Sequence, residues 1–76
     1  MKPTVGRIVH YHSYGTPGGE FKPEPRAAVV SEVNPDDPTL IGVVVLNPTG
    51  LFFNRNVKQA PDDAPVPGCW TWPPRV

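Results

Sequence analysis

Cys69 is the one cysteine in this 76-residue chain, so no disulfide can close within it. A small domain without cross-links fits a reducing compartment such as a cytoplasm. An excess of charge of either sign is also lacking: seven Lys and Arg balance seven Asp and Glu, for a formal net charge of +0. That balance excludes a molecule-wide field able to hold a nucleic-acid backbone or an anionic bilayer. Neither nucleic acid nor a membrane is an expected partner. Long apolar runs are missing as well. The longest, Leu40 to Leu46 with Gly42 inside it, is far below the roughly 20 residues that span a bilayer. Met1-Lys2-Pro3-Thr4 leads straight into a strand-like segment, with neither the apolar core nor the cleavage region of a signal peptide. A cytoplasmic location is the expectation.

Stretches free of helix breakers are just as scarce. Twelve Pro and seven Gly punctuate the chain, and between them lie short runs rich in Val, Ile, Phe and Tyr, the signature of short strands. The length allows one domain over residues 1–76. Val5 to Tyr14 reads as a first strand, with Ile8, His10, His12 and Tyr14 on one face. Gly15 to Pro25 reads as a long exposed loop with an irregular edge strand around Phe21. Arg26 to Val33 is a second strand, placing Ala27, Val29 and Val33 on one face and Ala28 and Val30 on the other.

Asn34 to Thr39 is a run of turn formers. Leu40 to Leu46 follows as a strand apolar on both faces, and burial on both sides is expected. Asn47-Pro48-Thr49-Gly50 fits a type I turn with a bulge at Gly50. Leu51 to Val57 returns as the partner strand, with Leu51, Phe53 and Val57 on one face and Phe52, Asn54 and Asn56 on the other. Residues 61–68 form a proline-rich connector to a short terminal strand, 69–73, that carries Trp70 and Trp72 on one side. About five short strands in meander order, with no substantial helix, predict an all-β fold: a small, partly open barrel of the SH3-like or OB-like kind.

No catalytic constellation accompanies this pattern. A nucleophile elbow, a Walker-type lysine loop and a rigid carboxylate pair are all lacking, so no enzyme is expected, and no cofactor. His10 and His12 lie two apart on one strand face and Cys69 is a conceivable third ligand, but a structural zinc site takes four; no metal is expected. Asp36-Asp37 and Asp62-Asp63 sit in proline-rich turns, where Asp bonds to local backbone.

The candidate contacts are of another kind. In Tyr14 to Gly19, the amides of Gly18 and Gly19 and the hydroxyl of Thr16 suit a phosphate, and Tyr14 suits a base. Arg7 and Arg26 would neutralise its charge, His12 lies beside them on the first strand, and Asn47, Thr49 and Asn54 offer donors and acceptors for base edges. Trp70 and Trp72 form a platform for a base, a proline-rich peptide or another subunit, or else pack in the core. The ordinary reading of all of these is loop and strand-edge polarity. A core of this size with an apolar strand and no covering helix predicts a homo-oligomer, meeting through Leu40 to Leu46 or the two tryptophans.

The blocks TVGRIVHYHSYGTPGGE, RAAVVSEV, GVVVLNPTGLFFN and WTWP resemble a group of short proteins of unassigned role from tailed bacteriophages and some actinobacteria, over nearly the whole chain. That resemblance brings no catalytic residues with it. In size and expected oligomerisation the chain is also similar to phage anti-defence sponge proteins, which sequester cyclic nucleotides or ADP-ribose-derived signals. The similarity implies a small anionic nucleotide held at subunit interfaces. The alternatives are an SH3-like protein- or nucleic-acid-interaction module and a minor virion or assembly component.

Overall fold

A computed structural model describes residues 2–14, 24–48, 50–61 and 64–74. The chain is all-β in these segments. Five strands, β1 (Ile8–His12), β2 (Pro25–Val33), β3 (Ile41–Asn47), β4 (Gly50–Val57) and β5 (Trp70–Thr71), form one antiparallel sheet in the order β4-β3-β2-β1-β5. The sheet is open, not a closed barrel. Its two ends approach through a single parallel bridge between Gln59 and Trp70. There the Trp70 amide donates to the Lys58 carbonyl and the Ala60 amide to the Trp70 carbonyl, both at 2.9 Å.

The turn chemistry closes the meander as its residue types dictate. Asn34 Oδ1 accepts from the amide of Asp36 at 2.8 Å, and Asp37 Oδ1 accepts from the hydroxyl of Thr39 at 2.6 Å; this is the Asx-turn behaviour expected of the Asn34–Thr39 run. Asn47 and Gly50 pair across the β3–β4 turn in regular register. The bulge expected at Gly50 is therefore not there. The irregularities lie opposite Gly42 instead, one in β2 between Val30 and Glu32 and one in β4 around Arg55 and Asn56. Asn56 takes a left-handed φ of 56°, a conformation Asn tolerates better than most residues.

These two bulges correct two face assignments. Strict alternation puts Val33 with Val29, and Val57 with Leu51 and Phe53. An extra residue in each strand reverses the alternation beyond it, so Val33 and Val57 both pair with Ile41. Val57 is buried and Val33 packs against the core. Val9, Ala28, Val30, Ile41, Val43, Val45 and Trp70 complete that core.

β3 is not buried on both sides as expected. Ile41, Val43 and Val45 are enclosed, whereas Val44 is half-buried and Leu46 is 43% exposed. Among the described residues no second layer lies over the outer face, so one side of β3 meets the core and the other meets solvent.

Trp70 is 0% exposed. Its indole N–H donates to the Thr39 carbonyl at 2.9 Å, and the Trp72 ring meets it edge-on at a centroid distance of 5.3 Å. Removing a buried aromatic costs about 3–5 kcal/mol, a large share of the roughly 5–15 kcal/mol available to a domain. Trp70→Ala is expected to lose about 3–5 kcal/mol of stability. Trp70→Phe, which strands the Thr39 carbonyl, is expected to cost about 1–3 kcal/mol. Urea titration followed by circular dichroism measures both. A Trp70→Ala chain within 1 kcal/mol of the parent would show that the indole is not the keystone.

Candidate interaction surface

The register assembles an apolar row that is not apparent in the linear sequence. Ile8 lies opposite Val29, Val29 opposite Val44, and Val44 opposite Phe53, so one side chain from each of four strands lines up on the face away from the core. Leu46 lies opposite Leu51 two residues along. Ile8 is 51%, Leu51 58% and Phe53 74% exposed. Phe52, on the core-side face at the β4 edge, is 61% exposed. Singly exposed apolar residues are ordinary; a contiguous row ending at Phe53, with Phe52 on the opposite face of the same edge strand, is the candidate interaction surface.

Polar devices border this row at one end. Glu32 reaches across Gly42 to Arg55, which donates from Nε to Oε1 at 2.6 Å and from a terminal nitrogen to Oε2 at 3.3 Å. The hydrogen bond from Arg55, and secondarily its charge, holds the Glu32 carboxyl below its ordinary range. This exposed pair contributes little to stability, but it sets a steric demand. A Cβ on Gly42 would meet Glu32 Cγ at 2.6 Å. A shallow cleft of about 310 Å³ beside the pair is lined by Glu32, Asn34, Asp36, Arg55 and Asn56. Its Glu32 and Arg55 are already engaged with each other.

The sequence-assigned contact residues are spread over the molecule. Tyr14 is exposed, with its ring against Gly68. Half-buried His12 shares a hydrogen bond with Thr71 Oγ1, Nε2 to oxygen 2.8 Å. Arg26 lies opposite Tyr11 and pairs with Glu24 at 2.8 Å, its Nε buried with no partner among the described residues. These three belong to the same end of the sheet. Arg7 precedes β1 at its other end, its amide bonded to the Thr4 carbonyl and its carbonyl accepting from Val30.

Asn47 and Asn54 lie toward the far side, on β3 and on edge strand β4. Trp70 is closed to any ligand by its burial, and Trp72 is half-buried against it. Thr16, Gly18, Gly19, Thr49 and the expected strand around Phe21 lie outside the described residues. Among the described residues no group of three or more His, Cys, Asp and Glu is placed to hold a metal, and no helix is long and apolar enough to cross a membrane.

Burial, with a smaller contribution from neighbouring His10, lowers the His12 pKa from its ordinary 6.5. Burial is also the main reason the Tyr11 hydroxyl titrates higher than usual, with Tyr14 and Cys69 adding to the effect. No family model matches the chain, and no curated protein or solved structure shows significant similarity to it.

Two measurements test this geometry. Gly42→Ala is expected to push Glu32 off Arg55 and to cost little, as the loss of an exposed pair does, and in a Glu32→Ala background that cost should vanish. Equal costs in the two backgrounds would refute the contact. For His12, the folded state disfavours the imidazolium more than the unfolded state does, so the unfolded chain binds the proton more tightly. Its stabilising contribution is present above the ordinary pKa of 6.5 and declines as pH falls through the lowered folded value. The thermal midpoint should drop as pH falls below 6.5, and His12→Asn should flatten that step.

Proposed function

We propose that this chain is a non-enzymatic protein-interaction module of SH3-like topology that works as a homo-oligomer. The observation that carries the reading is the uncovered row of Ile8, Leu46, Leu51 and Phe53, joined at the β4 edge by Phe52. The five-strand order β4-β3-β2-β1-β5 and the Gln59–Trp70 bridge support the SH3-like assignment: a meander whose last short strand returns beside the first. The zero net charge supports self-association, since copies approach without long-range repulsion.

A second reading is sequestration of a small nucleotide at a subunit boundary, in keeping with the resemblance to phage anti-defence sponges. One observation favours it. Arg26 is 12% exposed at its side chain, with a buried Nε free of partners among the described residues and Tyr11 opposite. A guanidinium held beside an aromatic ring suits a phosphate or a base. Calorimetry with cyclic dinucleotides and ADP-ribose cyclic isomers separates the two readings: heat lost in Arg26→Ala supports sequestration, and no heat from any member leaves the interaction module alone.

Light scattering coupled to size exclusion tests the main reading. At tens of micromolar the mass is expected to be at least twice the 8.3 kDa of one chain. A mass of one chain up to millimolar concentration would overturn it.

A further inference from the structure

Strand addition needs an edge with unpaired N–H and C=O groups, and among the described residues this sheet has one such edge of useful length. At one margin β5 is two residues long, and its side away from β1 is taken by the bridge to Gln59. At the other margin β4, Gly50–Val57, pairs only with β3 among the described residues. Edges of this kind are usually blunted by proline, by inward-pointing charge or by a bulge. β4 carries no proline, and its single charged side chain, Arg55, is engaged by Glu32. Its bulge falls at Arg55 and Asn56, which bends that end away and leaves Gly50 to Asn54 as the straight, unguarded stretch. The centre of that stretch is Phe52.

We infer that two copies of this chain pair β4 against β4 in antiparallel fashion about a two-fold axis at Phe52, which makes one continuous ten-stranded sheet. This rests on the self-association reading above and specifies its interface. With one usable edge per chain, strand pairing between copies must use the same edge twice, so the contact is isologous and closes at a dimer.

The register follows from the side chains. Every second residue of β4 turns its backbone groups away from β3, so two β4 edges can bond only where outward sets meet. Centring on Phe52 meets that requirement and sets Phe52 opposite the partner's Phe52, Leu51 opposite the partner's Phe53, and Gly50 opposite the partner's Asn54. Moving the axis to Phe53 would place Leu51 against the partner's Arg55, and moving it to Leu51 would leave Phe52 against the partner's Gly50. The central register alone gives every large apolar side chain of the stretch an apolar partner, and no like charges face each other.

It also joins the row from Ile8 to Phe53 to its copy across the seam. The exposed parts of Phe52 and Phe53, 61% and 74%, supply at most roughly 540 Å² over two copies at ~200 Å² per ring. That is about half of the ~1,200 Å² at which stable interfaces begin; Leu51, Leu46 and the paired backbone supply the rest.

Single cysteines in a Cys69→Ser background test the register. Opposed residues in an antiparallel pair have Cα atoms about 4.5–5.5 Å apart, inside the range a disulfide bridges. Mild oxidation should therefore cross-link Phe52→Cys to itself at least tenfold faster than Leu51→Cys, whose copies are offset by two residues. Phe52→Lys, which sets two ammonium groups face to face at the axis, should run as a folded monomer. Equal cross-linking rates, or a Phe52→Lys chain that remains dimeric, overturns the β4 pairing while leaving self-association standing. A parent chain that is monomeric at millimolar concentration overturns both.

Discussion

Everything in this fold depends on where the Trp70 indole goes. The sheet is a meander of four strands whose inner face is mostly valine and alanine, residues too small to fill a core alone. One large ring on a two-residue strand fills it. The same residue bonds by its main chain to the extension beyond β4 at Lys58 and Ala60, lies opposite Tyr11 in β1, and anchors the β2–β3 loop through the Thr39 carbonyl. Three parts of the chain far apart in sequence thus meet at one side chain. A surface role for Trp70 is incompatible with that position; the face it would have offered is already in use.

How legible this was depends on how local the determinant is. The strands were visible because β-branched runs alternate with Pro and Gly, and the Asn47–Gly50 turn was visible because its residue types satisfy a local geometry. Val33 and Val57 were misassigned for one shared reason. Each lies beyond a bulge, and a bulge is a property of the pair of strands rather than of the strand that carries it. Both bulges sit opposite Gly42, the residue whose missing side chain lets Glu32 cross the strand. A glycine inside an otherwise apolar strand was the available signal, since such glycines mark bulges and close approaches, but its partners are set by register and register is non-local.

The surface was harder to read than the fold. Residues chosen for their chemistry, such as Arg7, Tyr14, Asn47 and Asn54, do not converge, because strand order separates them. The row that does converge consists of residues with no chemistry to notice: Ile8, Val29, Val44 and Phe53 become neighbours only through three successive pairings. Phe52 and Phe53 carried the one local hint. Adjacent residues in a strand point to opposite faces, so an edge strand bearing two phenylalanines side by side has apolar bulk on both sides of its rim.

That arrangement bears on how far association through so much apolar surface could proceed. A sheet with two open edges and an uncovered apolar face would grow without limit, since each added copy presents a fresh edge. Here the fold itself uses one edge, where the bridge from Gln59 to Trp70 occupies the outer side of β5. The structural element that completes the core therefore also removes the site at which a third copy would add. With one edge consumed internally, the proposed β4 pairing would be satisfied by a single partner. Under that pairing the buried tryptophan and the exposed phenylalanines would be coupled: loosening Trp70 would free the β5 margin and turn a self-limiting contact into an open-ended one.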